Sequence, residues 1–203
     1  MKETELNRIL DMISRIEHEG KRPPKNVFEI PELKKHYLSF KDIIEKLNNN
    51  IIVFSIPNFK LFGIHDFVVP NSEKRISKIF ILSPYIIAIL ISIYGILTQK
   101  YWLITTLAIA YITPLLASIL TGLFQYLILA SICGYFFYND NLTLGFIFMI
   151  ALISIICTSL LKKHRRKSLI NIAKSNEEIF TFLFHNRTIA ILDERIDGML
   201  YSK

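Results

Sequence analysis

Between Ile79 and Leu161 the chain carries only two formal charges, Lys100 and Asp140, and no other feature limits its folding so sharply. A soluble domain within a chain of 203 residues could not hide so long a neutral stretch in one core. A bilayer accepts it. The hydrocarbon layer is about 30 Å thick, and a helix rising 1.5 Å per residue crosses it in about 20 apolar residues. Segments 79–97 (IFILSPYIIAILISIYGIL) and 142–161 (LTLGFIFMIALISIICTSLL) meet that requirement.

The intervening run, 101–138, has no formal charge. As one straight helix it would be about 57 Å long, nearly twice the apolar thickness. Two helices, about 101–119 and 122–138, joined by a turn near Ser118–Gln125, fit better; a long tilted helix or a re-entrant segment is the alternative. Charge placement favours four spans. Lys74, Arg75 and Lys78 precede the first, and Lys162, Lys163, Arg165, Arg166 and Lys167 follow the last. Basic borders stay in the cytoplasm, which requires an even number of crossings. The external loops are then 98–100 and 139–141. Tyr101 and Trp102 border one and Tyr135 and Tyr138 the other, where an interfacial aromatic belt would place them.

Fold class follows: a mainly α, polytopic membrane protein of about four transmembrane helices, with a small α+β domain at its N-terminus. The boundaries are 1–75 for the cytoplasmic domain, 76–162 for the bundle and 163–203 for a basic juxtamembrane segment and cytoplasmic tail. The N-terminal MKETELNRIL lacks an apolar core, so no cleavable signal is expected and the first span directs insertion.

The net charge of +7 does not identify a nucleic-acid binder. Much of it sits in the cluster 162–167, where each cation gains about 1 kcal/mol from anionic lipid headgroups. No span contains an ionisable group, which argues against a proton-coupled pump. Thr105, Thr106, Thr113, Ser118 and Ser131 bond either to their own helix backbone or between helices, or line a weakly polar pore. Pro84 and Pro114 should bend their helices. Ala130 and Gly134, four apart, permit close helix approach; the spacing suggests packing and does not identify an oligomer, so a homo-oligomer stays open. Cys133 and Cys157 fall in apolar runs and behave as small hydrophobes. His18, His36, His65, His164 and His185 show no metal-ligand spacing, and no P-loop, H-E-x-x-H or G-x-S-x-G motif occurs. Neither an active site nor a cofactor is expected.

Ahead of the spans, 4–19 reads as an amphipathic helix with Leu6, Ile9, Leu10, Ile13 and Ile16 on one face. Then come a β-like 26–30, a brief helix 32–38, a second helix 40–48 capped by Ser39, the strand IIVFSI and a further extended run at 61–69. This order resembles a winged-helix domain over residues 3–70. Its third helix carries Lys41, Asp42, Glu45 and Lys46, which sum to zero, so a protein or small-ligand contact is expected over DNA. In the tail, 168–178 extends as a helix with Leu169, Ile172, Ala173 and Ile179 inward. IFTFLF and TIAIL around HNR read either as a hairpin or as an interfacial helix inserting Phe180 and Phe184. A lone hairpin is marginal, so it should pack on the N-terminal domain or the membrane.

The winged-helix-like segment, the spans between Ile79 and Leu161 and the border KKHRRK together resemble the organisation of small bacterial anti-phage effectors, including membrane-spanning effectors of retron abortive-infection systems. That resemblance implies a multi-pass inner-membrane toxin with both termini cytoplasmic. It would be held inactive by a cytoplasmic protein or ribonucleoprotein and would make the membrane leaky on release. The other classes are a membrane-anchored winged-helix regulator and a non-catalytic accessory subunit of a membrane complex.

Overall fold

A computed structural model describes residues 7–11, 13, 24–57, 68–117, 123–193 and 198–200. The chain is mainly helical and divides into two compact units, Met1–Lys74 with Arg165–Lys203, and Arg75–His164.

In the first unit, 7–11 is helical, and a 3₁₀ turn, Val27–Glu29, stands where a β-like segment was expected. The Asn26 side chain accepts from the Glu29 amide and starts that turn. Helix α1 is Pro31–Lys34 and α2 is Phe40–Asn48, the latter capped by Ser39 Oγ on the Asp42 amide. Strand β1 is Ile52–Ser55. The further run at 61–69 lies mostly on residues outside those described. Helix α7 is Glu177–His185, followed by β2, Ala190–Asp193, and β3, Gly198–Leu200.

The sheet is antiparallel in the order β1-β2-β3, with Val53 opposite Leu192 and Leu192 opposite Met199. TIAIL is thus a strand, but its partner is β1, not IFTFLF. The latter is helical because Asn176 caps it, Glu177 and Glu178 fill its first turn and its whole apolar run is buried. Phe180 and Phe184 are therefore core residues, not membrane anchors; Phe180 packs on Phe40 and Phe54 at 5.6 and 5.4 Å between ring centroids. N- and C-terminal segments share one core, in which Ile9, Leu33, Ile43, Phe54, Leu169 and Ile191 are buried. Polar contacts follow the same division: the Tyr37 hydroxyl bonds Asp193 Oδ2 at 3.0 Å, and Thr181 Oγ1 donates to the Pro24 carbonyl at 2.7 Å.

The second unit holds most of two long helices, α3 (Asn71–Leu97) and α6 (Leu142–Ser175), and two shorter ones, α4 (Thr105–Ala117) and α5 (Leu123–Tyr138). Both α3 and α6 are long and apolar enough to cross a membrane. Each outruns its expected span, because NSEKRISK and KKHRRKSLINIAKS are good helix formers and no breaker interrupts them. A 3₁₀ turn, Tyr101–Ile104, precedes α4.

Among the described residues, four that are not glycine, Asn50, Gln99, Asp140 and Arg187, have positive φ. Each closes a helix: the next residue's amide reaches back to Lys46, Gly95, Phe136 and Leu183 respectively, the 6→1 bond of a Schellman motif. Left-handed backbone costs a side-chain-bearing residue about 1–2 kcal/mol, so Arg187→Gly should raise stability by up to about 1 kcal/mol. Phe180→Ala should lower it by about 3–5 kcal/mol. Hydrogen exchange of the β2 amides in the detergent-solubilised chain would register both.

Candidate functional site

The candidate site is the helix bundle of the second unit, built on an inside-out plan. On α3 the exposed face carries Ile79, Leu82, Ile86, Leu90, Ile93 and Leu97, between 48% and 78% exposed. Its buried face carries Ser77, Pro84, Ala88, Ser92 and Gly95. Only 28% of the apolar window of α3, and the same share of that of α6, is buried. The core helix of a soluble protein would be mostly buried, whereas side chains facing acyl chains need no protein cover.

The buried stripes of the neighbouring helices match. Thr106, Ala110 and Thr113 are buried on α4, and Ile150, Ser154 and Thr158 on α6. Ser92 Oγ and Thr106 Oγ1 meet at 3.4 Å, and each also reaches the Ala88 carbonyl, at 2.8 and 3.3 Å, binding α3 to α4. Thr113 and Thr158 donate to carbonyls of their own helices, at Ile109 and Ser154. Thr105 and Ser131 are exposed. Ser118 lies outside the described residues.

Close backbone approach occurs where the sequence did not point to it. A Cβ on Gly95 would stand 2.7 Å from Leu103 Cβ, and one on Gly145 2.9 Å from the Phe137 ring. Around Gly134, by contrast, there is open space, and Ala130 is exposed as well. Phe137 also meets Phe146 edge-on, and Phe136 stacks on Phe148 at 5.4 Å, so α5 joins α6 through aromatic contacts.

Of the basic border, Lys163, Arg166 and Lys167 are exposed and Lys162 is half-buried, while Arg165 is only 4% exposed and does not belong to any headgroup-facing surface. Tyr101, Trp102, Tyr135 and Tyr138 flank the turns at 98–100 and 139–141 and are 61–88% exposed. Among the described residues no group of three His, Cys, Asp or Glu side chains is placed to hold a metal. In the first unit a cleft of about 280 Å³ is lined by Pro70, Ser72, Glu73, Asn171, Ile172 and Ser175, with Ser168. Its lining holds neither a histidine base nor a thiol.

No protein-family model matches the chain, and neither a curated protein nor a solved structure does.

Gly145→Val should lower the thermal stability of the bundle by about 1–3 kcal/mol, because a Cβ there meets the Phe137 ring, which is itself packed edge-on against Phe146. Gly134→Ala should leave it unchanged. Thermal unfolding of the detergent-solubilised protein, followed by near-ultraviolet dichroism, separates the two.

Proposed function

We propose that the chain is a four-span inner-membrane protein with both termini in the cytoplasm, and that it acts as a membrane-perturbing effector restrained by a cytoplasmic partner. One observation carries the topology: β1 precedes the first long helix, β2 follows the last, and they pair residue for residue from Ile52–Asp193 to Ser55–Ala190. Strands that share hydrogen bonds share a compartment. An even number of crossings follows, on grounds independent of charge.

Helix register supports four crossings rather than two. Gly95 lies against Leu103 and Ala88 against Thr106, so α3 and α4 run antiparallel. Carried on at 1.5 Å per residue, that register brings Ala117 about level with Ile79, the cytoplasmic end of the first apolar stretch. On α5 and α6, Cys133 Sγ meets the Gly145 carbonyl at 3.5 Å and Phe136 meets Phe148. The same reasoning brings Leu123 to within about a turn of Lys162. Both short helices therefore have the reach to return to the inner border, and the turn between them falls there. The aromatic residues at both outer turns and the exposed cations at the inner border agree with this orientation.

The effector reading rests on organisation: a cytoplasmic module joined to a bundle without charges in its spans. The winged-helix-like order of α1, α2 and β1 supports a recognition role, although its sheet is completed by the C-terminal β2. On α2, Lys46 is paired with Asp42 at 2.7 Å and lies over the Tyr37 ring, which leaves Lys41 as the other cation of that helix and favours a protein partner over phosphates.

Reporter fusions should be cytoplasmic after Gly122 and Lys203 and external after Lys100 and Asp140. Extraction from vesicles by alkaline carbonate, or an external fusion at Lys203, would overturn the topology. Induced without its partner, the chain should arrest growth and depolarise the cell within one generation. Normal growth with unchanged membrane potential would refute the effector role.

A further inference from the structure

We propose that the bundle interior is a closed, hydroxyl-lined pathway that takes up water and conducts protons passively once the helices loosen. The inference deepens the effector reading and rests on the transmembrane placement of the second unit.

Among the described residues, every buried polar side chain at the centre of this unit carries a hydroxyl. Ser77 and Ser92 lie on the inner stripe of α3, Thr106 and Thr113 on that of α4, and Ser154 and Thr158 on that of α6. The ring contacts Phe80–His164 and Tyr94–Phe146 fix α3 and α6 as antiparallel neighbours. Their register brings Thr158 about level with Pro84 and Ser154 about level with Ala88, while that of α4 brings Thr113 near the level of Pro84. The hydroxyls therefore follow one another at about one-turn intervals from the Thr113–Thr158 level to the Ser92–Thr106 pair near the outer border, with Ser77 about two turns further toward the inner one.

Two of them call for a ligand. Ser154 and Ser77 are 0% and 1% exposed, and neither hydroxyl oxygen has a hydrogen-bond partner among the described residues. A helical serine readily satisfies itself on the carbonyl four residues back, as Ser92 does. Leaving such an oxygen unsatisfied costs about 1–3 kcal/mol, and water is the usual remedy in a polar interior. A chain of water and hydroxyls moves protons by exchange: each oxygen accepts a proton on one side and releases its own on the other. Nothing is consumed, and one proton crosses down its gradient. Because no ionisable side chain lies along the column, there is no site at which to couple this movement to another solute. The outer end is closed by Leu103 and Ile150, both fully buried, so conduction requires their displacement.

The test uses the full purified chain, without partner, in vesicles of phosphatidylethanolamine and phosphatidylglycerol. A pH-sensitive dye is entrapped and the potential is clamped with valinomycin and potassium. Proton flux at least about tenfold above protein-free vesicles is expected. The double variant Ser154→Ala, Thr106→Val should lose most of it while retaining the wild-type unfolding temperature within a few degrees. Ser154→Thr, which keeps the hydroxyl, should conduct, and Ser131→Ala, on the exposed face, should match wild type. Equal flux from the double variant would overturn the pathway. Release of the entrapped dye would overturn it too, while leaving the membrane-perturbing role intact. Vesicles tight to both protons and dye would refute the pathway and the effector role together.

Discussion

The antiparallel pairing of β1 with β2 is the contact on which the rest of the molecule depends. It joins residues 52–55 to 190–193 and so closes a loop of about 140 residues. As a flexible chain that loop would be costly to close and slow to find its register. The cost grows only with the logarithm of length, however, and α3 and α6 shorten the effective loop by lying against each other. With those helices side by side, the start of one and the end of the other are already neighbours. Phe54, Phe180, Leu169 and Ile191 then complete a core that neither chain end could build alone.

In lipid, apolar side chains gain nothing by leaving acyl chains for one another, so helices associate through close packing and through polar groups that prefer each other. The bundle follows that rule. Gly95 and Gly145 mark close approaches, and Ser92 with Thr106 forms an interhelical polar contact. Many bulky residues are left outside, reversing the arrangement of the first unit, where Ile43, Phe180 and Phe184 are inside and, apart from Arg165 and Asp193, the described charged residues are not buried. On the proposed membrane placement one chain obeys two solvents, and the change falls within α3 and α6 near their basic residues.

Much of this was legible in the sequence. The long apolar runs, the two short turns at 98–100 and 139–141 and the inward face Leu169–Ile172–Ala173 depend on local composition or period, and the helices carry them as expected. IFTFLF was ambiguous for a physical reason. All of Ile179 to Phe184 is buried, so no polar residue marks a period, and β-branched and aromatic residues suit either state. What decides is the cap at Asn176 and the closing turn at Arg187, which only become clear once strand β2 is seen to need another partner. That partner lies far upstream, and no local pattern could reveal it. The close approach at Gly95 and Gly145 was hidden likewise, because it depends on which residue of a neighbouring helix stands opposite. Ala130 and Gly134 have the familiar spacing but face open space.

The choice of hydroxyls over charges in the bundle interior has energetic consequences. A carboxylate or ammonium group at mid-membrane costs at least about 2.5–3.5 kcal/mol for insertion and needs a counter-charge. An interior of serine and threonine avoids that cost, since Thr113 and Thr158 are satisfied by their own backbones whether or not the helices are packed. Among the described residues of the bundle, Ser154 and Ser77 are left unsatisfied in the packed state, at about 1–3 kcal/mol each. The penalty is small enough for van der Waals packing around Ala88, Leu103 and Ile150 to outweigh it. On the proposed pathway it disappears once water enters, so the unsatisfied oxygens oppose the closed bundle. A restraint acting on a few kilocalories per mole is one that binding of a protein partner can impose or remove.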